Sequence, residues 1–234
     1  MNHKSKFILL LIVLLAFGLR LYGLNWDGGF HLHPDERFLT MVASDIRLPS
    51  SISQYFSTAT SPLNPGNYHQ NQFFVYGTFP LFLTKVLAVI FGLNDYSHLH
   101  FVGRILSALF DTGNVVILYL LTKKFLAPFL YAATVLPLQL SHFFAVDTFL
   151  TFFIFLTFYL LNQKKYILGG LIFGLALACK ISALYFLPIV LLFILYHRKL
   201  LPGFYFLLLA FISFRFFQPY AFTSLFTPNP AFIK

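Results

Sequence analysis

The chain has 234 residues, of which 59% are hydrophobic and only 10% charged, with a mean hydropathy of +0.79. A soluble domain is about a quarter charged, so a soluble globular class is excluded. The formal net charge of +9 would suit nucleic acid. The basic residues, however, stand in pairs between apolar runs, which is the pattern of membrane topology rather than of a phosphate-binding face. The single cysteine, Cys179, rules out an intrachain disulfide and a thiolate metal cluster.

The first apolar run, 6–24, follows a positively charged start and looks like a signal peptide. It has no small-residue cleavage site and continues through Arg20 and Tyr22, so it reads as an uncleaved first span with a cytoplasmic N-terminus. Tyr22 and Trp26 read as interfacial anchors.

Residues 25–98 form one long region expected to lie outside the membrane on the extracytoplasmic side, and loops of this length are usually functional. It opens with "NWDGGFHLHPDERFLTM" (25–41). Pro34 suits a first helical position and acids follow at Asp35 and Glu36. The periodicity predicts a short amphipathic helix on the membrane surface. Phe38, Met41, Val42 and Asp45/Ile46 make its apolar side, and Glu36, Thr40, Ser44 and Arg47 a polar stripe. A helix N-terminus favours an ionised carboxylate, and such a carboxylate can take a proton from an attacking hydroxyl. The plainer alternative is that these acids only decorate a helix start. His31, His33 and Asp35 form an H-x-H-x-D pattern, but Pro34 interrupts the extended strand that would make them converge. A divalent metal is therefore disfavoured.

The aromatic stretch "NYHQNQFFVYG" (67–77) reads as core packing before it reads as a sugar site. The run 73–93 is long enough to span but carries Gly77, Pro80 and Lys85. Placed at the outer interface, with Lys85 snorkelling to water, it leaves Lys4, Lys6, Lys123, Lys124, Lys164 and Lys165 all inside, as the positive-inside bias asks. Further spans are expected at 100–121, 125–141, 144–161 and 203–218. As one helix, 166–196 would run about 46 Å, too long for a hydrocarbon core of roughly 30 Å. It is expected to turn near Lys180 as a hairpin. The result is an all-α polytopic membrane protein of about seven transmembrane helices, a single transmembrane domain over 1–234. Of the seven acids, six fall on the outer side or its boundary, and Asp111 lies mid-span with Arg104 as interhelical polar contacts.

"HPDERFLTMVASDI" (33–46) resembles the first-loop acidic motif of the GT-C membrane glycosyltransferases, in the protein O-mannosyltransferase and lipid A aminoarabinose transferase-like group. "GRILSALFDTGNVVILYLLTKKF" (103–125), "LQLSHFFAVDTFLTFFIFLTFYL" (138–160), "GGLIFGLALACKISALYFLP" (169–188) and "FRFFQPYAF" (214–222) are similar to later segments of that group, in order. Members usually continue with more spans, so the chain is expected to be the N-terminal part of a longer architecture.

The resemblance implies transfer of a sugar, with inversion, from a polyprenyl-phosphate donor to a hydroxyl on a protein, lipid or glycan. No firm cofactor and no nucleic acid are involved. It makes Asp35 the general base with Glu36 beside it in binding or orientation. A phosphate leaving group calls for nearby cations, for which Lys180 and Arg215 at outer helix ends are the candidates. Arg37 and Arg47 are weaker ones that suit snorkelling equally. Asp147, five residues after His142, is a candidate for sugar hydroxyls or acceptor orientation, since a carboxylate near the membrane is costly without a use. The rival readings are a transporter or flippase, and an inactive scaffold derived from a transferase.

Overall fold

A computed structural model of the chain describes residues 3–68, 74–224 and 227–229. Among these, regular structure is helical apart from one antiparallel bridge between Phe222 and Pro228. The helices are α1 (His3–Leu21), α2 (Pro34–Asp45), α3 (Ile52–Phe56), α4 (Thr78–Ile90), α5 (Tyr96–Thr122), α6 (Leu126–Ala133), α7 (Val135–Leu140), α8 (Val146–Asn162), α9 (Tyr166–Cys179), α10 (Leu187–Tyr196) and α11 (Leu200–Phe217). Two of them, α5 and α11, are long and apolar enough to cross a membrane.

The stretch expected as one span over 125–141 is instead two short helices. Pro137 removes an N–H, and its ring would meet the carbonyl four residues back, at Ala133, where α6 ends. The expected break at Lys180 is present: α9 stops at Cys179, Lys180 is extended, and a 3₁₀ turn (Ile181–Phe186) leads into α10.

The main core gathers α2, α4, α5, α8, α9 and α11 around buried Leu39, Phe74, Phe149, Phe173 and Phe206. α9 packs closely on α11. A Cβ on Gly170 would sit 2.3 Å from the Phe206 carbonyl, and one on Gly174 2.4 Å from that of Ala210. This small-xxx-small spacing lets two backbones touch. A smaller cluster of α1, α5 and α6 is pinned by a buried ion pair, Arg20 Nε to Asp111 Oδ2 at 2.6 Å. The Tyr131 hydroxyl donates to Asp111 Oδ1 at 2.6 Å.

Lys85 does not reach for water. It is 2% exposed and donates to the Ala43 carbonyl, 2.9 Å away in the last turn of α2. Burial chiefly, with the Arg47 charge adding and Asp45 opposing, brings its pKa down to about 8.

Helix ends differ in how they turn. After α4, Gly92 takes the left-handed conformation (φ 70°), as glycine does readily. After α5, α8 and α10 the left-handed residue is Lys123 (56°), Lys164 (58°) and Arg198 (51°). The Lys165 N–H reaches back to Leu160 O at 2.9 Å, and Lys199 to Ile194 O at 3.0 Å. These are the long-range bonds of a Schellman turn.

Candidate active site

The site is built on the start of α2. Ahead of it the chain winds through three left-handed residues, Gly28 (φ 61°), Gly29 (83°) and His31 (50°). The Asp27 carboxylate holds this loop, accepting from the Gly29 and Leu32 N–H groups, each at 3.2 Å. His33 caps the helix, its Nδ1 accepting from Glu36 N–H at 3.4 Å, and Pro34 occupies the first position. The helix starts where the sequence predicts, but its faces are partly exchanged. Glu36 and Thr40, expected on the polar stripe, are buried, while Met41 is exposed.

The reason is Arg104 on α5. Its Nε and Nη2 donate to the two oxygens of Glu36 at 2.8 and 2.5 Å, and Nη2 also donates to Asp27 at 2.9 Å. Glu36 Oε2 further accepts the Phe144 N–H at 2.8 Å. Burial pushes the Asp27 pKa up, but the hydrogen bonds from Arg104, Gly29 and Leu32 and the Arg104 charge outweigh it, bringing it to about 2. Glu36 is thus a fully enclosed strut that fixes α2, not a group open to a substrate, which corrects its expected part in binding. Arg104 and Asp111 are interhelical contacts, as read from the sequence, each with its own partner.

Successive helical residues point about 100° apart, so with Glu36 turned inward Asp35 faces elsewhere. It is half-buried and accepts a hydrogen bond from the Tyr76 hydroxyl. Burial first, then the Asp35 bond and the Asp35 and Asp147 charges, push the Tyr76 phenol well above its ordinary value. Asp147, in the first turn of α8, binds Lys180 Nζ at 2.9 Å, with both side chains about one-third exposed (33% and 35%). The segment carrying Tyr76 is docked on the same turn as Lys180. Gly77 N–H donates to Cys179 O at 2.9 Å, and a Cβ on Gly77 would lie 1.9 Å from Ala178 O. Asp35, Tyr76, Asp147 and Lys180 therefore converge from four separate segments.

The remaining candidates lie apart from this group in their contacts. The ring nitrogens of His142 meet the carbonyls of Leu138 (2.7 Å) and Tyr22 (2.8 Å), tying the end of α7 to the exit of α1. Exposed Arg37 donates to His31 O at 3.0 Å. Arg215 donates to Pro219 O at 3.2 Å and stacks on Phe222 at 4.8 Å. Of the H-x-H-x-D pattern, His31 turns into the protein, His33 caps α2 and Asp35 meets Tyr76. Among the described residues no three His, Cys, Asp or Glu side chains are placed to hold a metal ion.

Two residues beyond Gly77, Phe79 enters the wall of an apolar cavity of about 450 Å³ between α3, α4 and the end of α11. Ile52, Phe56, Leu83 and Phe216 also line it. Its walls are tied together by Tyr55 Oη to Phe216 O at 2.6 Å and Thr78 Oγ1 to Phe217 O at 2.6 Å.

Tyr76 was not separable in the sequence from its aromatic neighbours, and residues 69–73 of that stretch lie outside the described residues. Its one local signal is the glycine that follows, which permits the close approach to α9. In comparisons with family models, curated proteins and solved structures, nothing matches this chain.

Proposed function

We propose that this chain is an integral membrane glycosyltransferase of about seven spans, N-terminus cytoplasmic, acting on the extracytoplasmic face. It moves a sugar from a polyprenyl-phosphate donor to an acceptor hydroxyl with inversion. The observation that carries this reading is the convergence of a half-buried carboxylate, Asp35, with Asp147 and Lys180. A lipid-borne sugar needs a base and a cation near one another and an apolar recess for its chain.

In this mechanism the Asp35 carboxylate takes the proton of the acceptor hydroxyl as its oxygen attacks the anomeric carbon. The bond from that carbon to the phosphate oxygen breaks, and polyprenyl phosphate leaves with the bonding pair. Tyr76 orients Asp35 by donating to one of its oxygens, leaving the other for the acceptor. Lys180, bound to Asp147 at rest, is open enough to exchange that partner for the phosphate, whose negative charge grows as the bond breaks. Asp147, released, faces the sugar hydroxyls. The cavity receives the first units of the prenyl chain. A transporter calls for polar residues lining a midplane path, whereas the acids of this chain gather mainly in the segment before α2 and at the starts of α2 and α8.

The test is sugar transfer from a panel of polyprenyl-phosphate hexoses and pentoses in membranes carrying the chain, beside Asp35→Asn. Asparagine keeps the size and cannot take the proton. Removing a general base should lower turnover by roughly 10²–10⁴-fold, with donor binding retained. Equal turnover in both proteins would remove Asp35 from the chemistry, and absence of transfer from every donor would count against the reaction class.

A further inference from the structure

We propose that His31 and His100 form an acid-sensitive latch that holds the loop before α2 against α5, closed when both imidazoles are neutral and released when one takes up a proton. This goes beyond the transferase reading and does not depend on it.

The two rings are buried together, 3% and 0% exposed, with centroids 4.4 Å apart and planes at 73°. His31 also packs on Tyr96 at 4.4 Å, and His100 on Phe101 at 4.1 Å. Among the described residues, three of their nitrogens, His31 Nδ1 and both of His100, have no hydrogen-bond partner. Neutral imidazoles tolerate such an aromatic stack. An imidazolium does not, because its second N–H has no acceptor and its charge is shut away from water.

The surrounding charges divide: Glu36 and Asp27 favour a proton on His31, while Arg104 and Arg37 oppose it. From the loop comes Asp27, from α2 Glu36 and Arg37, and from α5 Arg104. Both carboxylates are already bound by Arg104, and the Arg37 guanidinium sits on the His31 carbonyl. A proton on His31 therefore adds a cation beside Arg104 and Arg37, with the two carboxylates already engaged.

The loop is also wound to let go. His31 is a non-glycine residue in the left-handed region, at φ 50°, next to Gly28 and Gly29 in the same region. Such a backbone persists only while its surroundings over-determine it, and at His31 the imidazole stack does so together with the hydrogen bonds from the Leu32 N–H to Asp27 and from Arg37 to the His31 carbonyl. The sign follows from linkage. The His31 pKa is lowered from its ordinary 6.5, by burial first, against the pull of Glu36 and Asp27 and with the push of Arg104 and Arg37. The released loop therefore binds the proton more tightly than the closed one. The latch is shut above the ordinary histidine range and opens as pH falls through and below it.

The test is amide hydrogen exchange over residues 24–33 in the full chain in nanodiscs, from about pH 8 to about pH 5, with rates corrected for intrinsic pH dependence. The expected result is protection that falls by up to about tenfold per pH unit below the histidine range. In the double variant His31→Asn/His100→Phe, protection should stay level over the same window. Asparagine accepts the left-handed backbone and phenylalanine keeps the stack. Asp27, at about 2, does not titrate in this range. Equal acid loosening in the double variant, or constant protection in the wild type, would overturn the latch. Should the double variant fail to fold, exchange of the imidazole C2 hydrogens in the wild type decides. His31 must titrate below the ordinary histidine value, and titration at that value would sink the proposal.

Discussion

Asp35 and Glu36 are neighbours of the same chemistry, yet their fates are opposite, and the residue that separates them is Arg104. It lies 68 positions further along the chain, beyond anything local periodicity can see. The sequence made the pair legible as a functional candidate and placed Arg104 correctly as a structural contact. It did not say which carboxylate Arg104 would take. Replacing Arg104 with alanine leaves Glu36 and Asp27 as buried, uncompensated charges. We expect a loss of about 3–5 kcal/mol of stability, measured as a fall in the unfolding midpoint in detergent. Arg104→Lys keeps the charge but not the two-pronged geometry that grips both oxygens of Glu36, so an intermediate loss is expected. Unchanged unfolding of Arg104→Ala would show that the strut is not what fixes α2.

At the scale of elements, the site depends on how the segment before α4 is laid across the end of α9. The start of α2 and the break at Lys180 could be read locally, because Pro34, the acids after it and the excess length of 166–196 are local signals. The docking of Gly77 on Ala178 and Cys179 could not, since glycine in an aromatic loop has many uses. Gly77→Ala puts a Cβ where a backbone carbonyl already stands, and a backbone atom cannot swing aside as a side chain can. The two segments must part. A cost of about 1–3 kcal/mol is expected, together with loss of the Tyr76 contact to Asp35. Under the proposed mechanism, transfer should fall by more than the loss of folded protein accounts for. The checks are a thermal melt and turnover per folded molecule. A variant with wild-type melting and turnover would show that the close approach is dispensable.

For the molecule as a whole, the helical class was evident from composition, and most expected runs appear as helices. Their lengths were harder to read. Pro137 splits one expected span, because hydropathy marks where apolar residues are and not where the backbone bends. Lys85 shows the same limit for a single side chain. A lysine in an apolar helix suggested snorkelling, while the carbonyl that holds it belongs to a different helix.

The three helices that end in a left-handed lysine or arginine carry a further meaning. Glycine would make each of those turns with less strain, and α4 uses it. Under the proposed topology Lys123, Lys164 and Arg198 all lie on the cytoplasmic side, whereas Gly92 lies on the other. Lys164→Gly should therefore stabilise the folded protein by about 1 kcal/mol while lowering the share of molecules inserted with that loop inside. Unfolding in detergent reads the first effect, and labelling of an introduced loop cysteine from either side of the membrane reads the second. A gain in stability without any loss of correct insertion would separate the two roles. If both effects appear, the stopping residue of each helix is also its compass, and the chain accepts a tighter turn in order to be threaded the right way round.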